Sequence, residues 1–279
     1  MTTIASWLHE QPDLDRLDRD LLLGEVLGLN RAQIIAHPER RLERAELDTL
    51  QRLAQRRQRG EPAAYILGRK EFWSLELKVT PAVLIPRPET ELLVEQALTI
   101  NRQAVGDQAV REHGQRVLDL GTGSGAIAIA IATELQHAEV CASDISQAAL
   151  KVAATNAATH NAAVTFIASD WFVNISGNFH TIVSNPPYVP HADPHLRSLE
   201  AEPRRALVSG REGLDAIRYI VPAARAHLED HGWLIIEHGH DQGPAVRQLM
   251  LTTGYRRVST APDLAGLERV SRGQWQGGS

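Results

Sequence analysis

Residues 116–135 read RVLDLGTGSGAIAIAIATEL, and how the second half of that stretch is read decides the fold. Arg116 to Leu120 is a short apolar run with the character of a buried strand. Gly121, Thr122, Gly123, Ser124 and Gly125 follow as a turn in which the backbone can approach a ligand closely. The run AIAIAIA then alternates as a strand would. A glycine-rich turn after a strand, however, opens a helix whose N-terminal donors face the ligand, and Ala and Ile on all sides suit a helix buried against a sheet. The stretch is therefore read as strand, turn and helix. It also fits a loose G-x-G-x-x-A dinucleotide pattern, so it does not by itself separate nucleotide classes.

Outward from this unit, strands are expected at 138–143, 164–168, 179–184, 232–238, 255–259 and near 267–272. Helices are expected at 146–160, 213–229 and 241–253. The alternation predicts an α/β fold, a mostly parallel doubly wound sheet with its ligand site at the carboxyl ends of the strands. Asp144 ends the second strand, where an acid accepts from ribose hydroxyls; it also suits an N-cap for a helix starting at Ser146. Asp170 and Trp171 follow the third strand, placed for an adenine ring and its amine, with a core tryptophan as the alternative. The fourth strand ends in Asn185-Pro186-Pro187-Tyr188. Two prolines cannot continue a ladder, so the strand stops there, and the Asn185 amide and the Pro186 carbonyl face a fixed direction. Such a turn presents acceptors to a small NH2 group, or is simply a rigid loop.

Residues 1–70 read as a helical unit. Leu14, Leu17, Leu21, Leu22 and Val26 recur at helical spacing before Gly28, Asn30 caps a second helix, and Leu42, Leu47, Leu50 and Leu53 stripe a third. Its arginines, Arg40, Arg41, Arg44, Arg52, Arg56, Arg57 and Arg59, form a charged face that is commonly just a solvated helix face, or else docks an acidic or nucleic-acid partner. Strict alternation from Trp73 to Val79 predicts a strand, part of a β-hairpin linker over 71–86. The segment LIPRPETE at 84–91 is a stiffened turn into the next helix, where Thr90 and the acids serve as capping groups, and the larger unit runs over 87–279.

With 279 residues and a net charge of −5, the chain can bury a large core and does not have the balance of a protein that binds through phosphate contacts. Nucleic acid and membrane are not expected partners. The single cysteine, Cys141, is expected in the core, and no His, Cys or acid spacing argues for a metal. The chain is expected to be a cytoplasmic monomer, with residues 101–115 a surface connection and 274–279 a disordered tail. His160, His191 and His195 are expected at the surface. Glu237 is open between a general base and a structural group, as are His238 and His240 between roles.

DLGTGSG with NPPY resembles the S-adenosylmethionine-dependent methyltransferases that act on planar amide or amine nitrogens. LIPRPETE at 84–91, NPPYVP at 185–190, EPRRAL at 202–207 and GREGLDAIR at 210–218 narrow this to the peptide chain release factor glutamine methyltransferases, over nearly the whole chain. The resemblance implies a Rossmann-like seven-stranded methyltransferase sheet with a small helical bundle that docks the protein substrate. It implies that Gly121, Thr122, Gly123, Ser124, Gly125, Asp144, Asp170, Trp171 and Asn185 hold S-adenosylmethionine, and that S-adenosylhomocysteine leaves. Asn185, Pro186, Pro187 and Tyr188 would take the glutamine of the Gly-Gly-Gln tripeptide in class I release factors, with Asn185, Pro186 and Tyr188 catalytic. Glutamine of a ribosomal protein and the exocyclic amine of adenine are the alternative substrates, and a translation-factor adaptor is the non-enzymatic one. Two places depart from the family. Ala265-Gly266-Leu267-Glu268-Arg269 stands where an Asn-Asp-Arg turn is usual, and Arg205 stands where an apolar residue is usual. Both are expected to lie outside the donor site and NPPY.

Overall fold

A computed structural model describes residues 2–104 and 114–277, in two compact units, Met1–Arg69 and Lys70–Ser279. The first holds helices α1 (Ile4–His9), α2 (Arg16–Leu27), α3 (Arg31–Ala36), α4 (Arg44–Gln58) and α5 (Ala63–Leu67). Three begin where a side chain takes an orphan backbone N–H: Thr3, Asp15 and Asn30 accept from Ser6, Asp18 and Gln33. Helix α2 closes on Gly28 at φ 63°. The core gathers Ile4, Trp7, Leu22, Leu23 and Leu50. The apolar stripe is wider than this core, since Leu17 and Leu21 remain 60% and 39% exposed. Part of the arginine face is neutralised within the unit: Arg40, Arg56 and Arg57 pair with Glu46, Glu61 and Asp18.

Next come β1 (Arg69–Phe72) and β2 (Leu75–Lys78), joined by Trp73 and Ser74 at φ 53° and 57°. The single strand expected over 73–79 is thus a loop followed by a strand. A two-residue turn preserves the period of two, so alternation runs through it unbroken. Non-glycine residues are uncommon at positive φ. Glu91 Oε1 accepts the Trp73 backbone N–H at 2.8 Å and Glu134 its indole N–H at 3.1 Å.

The larger unit continues with α6 (Glu91–Ala104), β3 (Arg116–Leu120), α7 (Ala126–Glu134), β4 (Glu139–Asp144), α8 (Gln147–Thr159), β5 (Val164–Ala168) and β6 (Phe179–Ser184). It closes with α9 (Asp215–Ala223), β7 (Leu228–Glu237), α10 (Gly243–Thr252), β8 (Arg256–Pro262) and β9 (Glu268–Gln274). The seven strands lie in the order β5-β4-β3-β6-β7-β9-β8, with β9 antiparallel to both neighbours. AIAIAIA is a helix, with Ala126 to Ile131 all buried. Gly125 starts it at φ 85°, and a Cβ there would stand 2.9 Å from Ile129 Cδ1 and 3.1 Å from Ala153 Cβ. The glycine lets α7 leave its turn pressed against α8. One apolar cluster, with Leu93, Ile129 and Val140, contains α6 and α7; a second, with Leu118, Ile182, Ile217 and Leu234, contains α9.

Three expectations change. The helix expected over 213–229 stops at Ala223, just past Pro222, which withholds an N–H and crowds the preceding turn; β7 then starts at Leu228 rather than 232. Helix α6 runs to Ala104, so the connection starts later than 101, and residues 105–113 lie outside the described residues. The tail is tied down as far as it is described: Gln274 ends β9, Trp275 N–H donates to Gly232 O at 2.8 Å, and Gly277 N–H donates to Asp230 at 2.7 Å. Residues 278 and 279 lie outside the described residues. Among those described, no helix is long and apolar enough to cross a membrane. Replacing Gly125→Ala is expected to lower unfolding stability by about 1–3 kcal/mol, from positive φ and crowding together, as read by urea denaturation.

Candidate active site

The chain runs from β3 outward through β4 to β5, then returns to place β6 on the other side of β3. The crevice at such a reversal opens at the carboxyl ends of the strands. β3 pairs with β6 up to Leu120 and Ser184, and the Ser184 hydroxyl donates to the Leu120 carbonyl at 2.9 Å. The glycine turn and Asn185 therefore leave adjacent strand ends.

A cavity of about 340 Å³ opens there, within the size range of small-molecule sites. Gly121, Gly123, Asp144, Asp170, Trp171, Asn185, Pro186 and Pro187 line it. Asp144 uses one oxygen to accept the Gly123 N–H at 2.9 Å and the other to accept the Ser146 N–H at 2.8 Å. The N-cap of α8 is Ser146 itself. A carboxylate has about four acceptor positions, so Asp144 retains capacity toward the cavity. Trp171, at φ 48°, brings its indole to the edge of the glycine turn, 3.8 Å from where a Gly121 Cβ would be. Ser169, which sequence reasoning passed over, pins that turn by donating to the Trp171 carbonyl at 2.8 Å and accepting the Asn174 N–H.

Thr122 and Ser124 are buried away from the cavity lining. Thr122 donates its hydroxyl to Asp119 at 2.6 Å, and the Ser124 carbonyl accepts from Asn156. Asp119 is wholly buried, and burial pushes its carboxyl up to about 7 against the bond from Thr122. Gly125 serves the packing of α7. Arg205 lines the cavity with the glycine turn, so this departure from the family pattern stands at the rim of the candidate donor site.

A second cavity, of about 410 Å³, lies on the other side of Asn185. It contains Tyr188, Arg87, Gln242 and Arg269, and it shares Leu84, Asn185 and Ala206 with the first. Asn185 is thus a wall of both. Its Nδ2 donates to Thr90 Oγ1 at 3.1 Å, which leaves the Oδ1 acceptor available at the junction. Thr90 is therefore not merely a helix-start residue. Tyr188 donates its hydroxyl to Glu237 Oε1 at 3.1 Å, while Oε2 has no partner within hydrogen-bond distance among the described residues. Burial pushes Glu237 up to about 7, drawn partly back by Thr90, Tyr188 and Arg269. Burial and the Glu237 charge raise the Tyr188 hydroxyl well above its ordinary value. Its role here is that of a neutral donor.

The family-like segments converge on this wall. Glu202, 5% exposed, accepts the Ile85 N–H at 3.0 Å and pairs with Arg87 at 2.5 Å, fastening the turn that carries Thr90. Gly213 at φ 74° lets its segment touch the NPPY loop, since a Cβ would stand 2.1 Å from the Tyr188 carbonyl oxygen. Gln242 donates to the Tyr188 and Glu212 carbonyls and accepts the Gly239 N–H, locking the loop's outer side. Arg269 reaches the second cavity and is anchored by Asp263 at 2.9 Å, which places the atypical final turn beside the site. His238 is a core group between the Gly239 carbonyl and Ser271, and burial lowers its pKa. His195 and His240 stand at the second cavity, with His195 turned toward Asp193. Among the described residues, no group of His, Cys, Asp or Glu is arranged to hold a metal ion.

Comparison with known proteins shows the family and the fold. The family described as "Methyltransferase small domain" matches residues 103–251, and "PrmC N-terminal domain" matches residues 3–68. The release factor glutamine methyltransferase of Coxiella burnetii is 48% identical over 257 residues, covering 91% of this chain and 90% of that protein. That of Pseudomonas aeruginosa is 46% identical over 285 residues, covering 99% of each. The solved Thermus thermophilus 16S rRNA N2 G1207 methyltransferase, in complex with AdoMet and guanosine, shares the fold at TM-score 0.54 and 20% identity, covering 75% of this chain and 50% of that one.

The raised carboxyl groups carry a pH signature. A folded chain that keeps protons on Asp119 and Glu237 up to about 7, when the unfolded chain releases them near 3.8 and 4.5, loses stability as pH rises across that window and levels off above it. Glu237→Gln is expected to lose less stability than the parent between about pH 5 and about pH 8 in urea titrations.

Proposed function

The chain belongs to the release factor glutamine methyltransferases, and we propose on that basis that it transfers a methyl group to the side-chain amide of the Gly-Gly-Gln glutamine of class I release factors. The observation that carries the reading is Asn185, with its free acceptor at the meeting of two cavities, one lined by the glycine turn, Asp144 and Trp171, the other by Tyr188. The first cavity fits S-adenosylmethionine by its chemistry: Asp144 for the ribose hydroxyls, Trp171 for the adenine face and Asp170 for its amine. Bound there, S-adenosylmethionine would supply an electrophilic methyl on a sulfonium and leave as S-adenosylhomocysteine.

The chain's task is then to make a poor nucleophile act as a good one. An amide nitrogen has its lone pair delocalised into the carbonyl. Acceptors at Asn185 Oδ1 and the Pro186 carbonyl take its two N–H groups, fixing the plane of the amide and directing the nitrogen lone pair toward the first cavity. Tyr188, held by Glu237, covers the amide and excludes water. As the N–C bond forms and the C–S bond breaks, the positive charge passes from sulfur to nitrogen, and one nitrogen proton is lost to solvent when the methylated amide leaves the site. Positioning of this kind is worth roughly 7–11 kcal/mol in well-oriented cases. The helical unit, with Leu17 and Leu21 exposed, is assigned to docking the protein substrate.

Asn185→Ala is expected to reduce methyl transfer roughly 10²-fold or more while S-adenosylmethionine binding by calorimetry stays near that of the parent. Incubation with labelled S-adenosylmethionine and a release factor, a ribosomal protein or DNA is expected to label the release factor; label on DNA alone would overturn the reading.

A further inference from the structure

The reading above requires the Asn185 side chain to show its oxygen, not its nitrogen, to the reacting amide. An asparagine amide is nearly symmetric in shape, and a half-turn about its last torsion would present two donors to a substrate NH2 that also has only donors to offer. Something outside Asn185 must break that symmetry. Pro186 fixes the backbone on one side but has no N–H to offer the amide group.

The group in contact is Thr90. It is 4% exposed and belongs to the turn that precedes α6, 95 residues away in sequence. Its oxygen is 3.1 Å from Asn185 Nδ2, so its side chain serves Asn185. A hydroxyl can donate as well as accept, and here it accepts, with the Asn185 NH2 group as the donor. The contact is closed off from water, since Thr90 is 4% exposed, so the NH2 end has a fixed buried partner and the oxygen has none on that side. The carbonyl end then faces the junction of the two cavities.

We infer that Thr90 is a positioning residue of the transfer: by accepting the Asn185 NH2 group, it holds the orientation in which Asn185 can receive the substrate amide. Thr90 itself lines neither cavity, so it acts through Asn185 and not on the substrate. The inference rests on the proposed amide methylation and adds the residue that makes Asn185 competent for it. The turn holding Thr90 is itself fastened by Glu202 through Ile85 and Arg87, so the LIPRPETE and EPRRAL segments serve one purpose.

The test compares the full chain with Thr90→Val, which keeps the shape and removes the acceptor, and Thr90→Ser, which keeps the hydroxyl. Methylation of a class I release factor is measured as kcat and KM, alongside calorimetric binding of S-adenosylmethionine. Thr90→Val is expected to lower kcat by roughly 10- to 100-fold with S-adenosylmethionine affinity within about twofold of the parent, and Thr90→Ser to recover activity to within about threefold. Parent-like turnover by Thr90→Val would overturn the inference, as would a serine variant as impaired as the valine one. A parallel collapse of S-adenosylmethionine affinity would also overturn it, because the role would then be structural only. If the unaltered protein does not methylate a release factor, the underlying reading fails first, and the inference with it.

Discussion

The parallel pairing of β3 with β6 is the constraint on which the site depends. All six residues of Phe179–Ser184 are buried, and Leu120 and Ser184 stand opposite each other at the end of the ladder. A slip of one residue would turn every side chain of a strand to the opposite face, so in so buried a strand the register has little freedom. The glycine turn and Asn185 inherit their separation from it. The stiffness of Pro186 and Pro187 then carries that precision past the strand end, where a flexible loop would dissipate it.

A second layer of contacts refines the first. Glu202 is a buried carboxylate that serves a backbone N–H and a guanidinium together, an arrangement in which removing one partner costs about 3–5 kcal/mol because the other is left unmatched. Gln242 performs a comparable task with a neutral amide, using both donors and its oxygen on three different segments. Such contacts are costly to assemble for stability alone. Their return is geometric, since each ends on a loop that bears Thr90 or Tyr188.

Much of this was legible in the sequence because it is local. The glycine turn, the strand stopped by prolines and the acid at the end of β4 each declare themselves within a few residues. AIAIAIA could be read as a helix only by letting the preceding turn outweigh its own alternation. The failures share a cause as well. Trp73 and Ser74 preserve a strand's period while making a turn, and Pro222 ends a helix whose apolar pattern continues. Thr90 and Glu237 form contacts with residues 95 and 49 positions away, which no local pattern encodes. Arg205 and the turn at 265–269 stood out as departures from a family pattern, but only the fold places Arg205 and Arg269 at the two cavities.

The two cavities share one thin wall, made of Leu84, Asn185 and Ala206. Each chamber is modest in size, and a compound confined to one would compete with a single natural occupant. A compound whose two halves are joined by a short tether past Asn185 would bind its second half as an intramolecular event, at an effective concentration set by the tether and not by the solution. The wall at Asn185 is thus also the place where the chain is open to a linked, two-headed ligand.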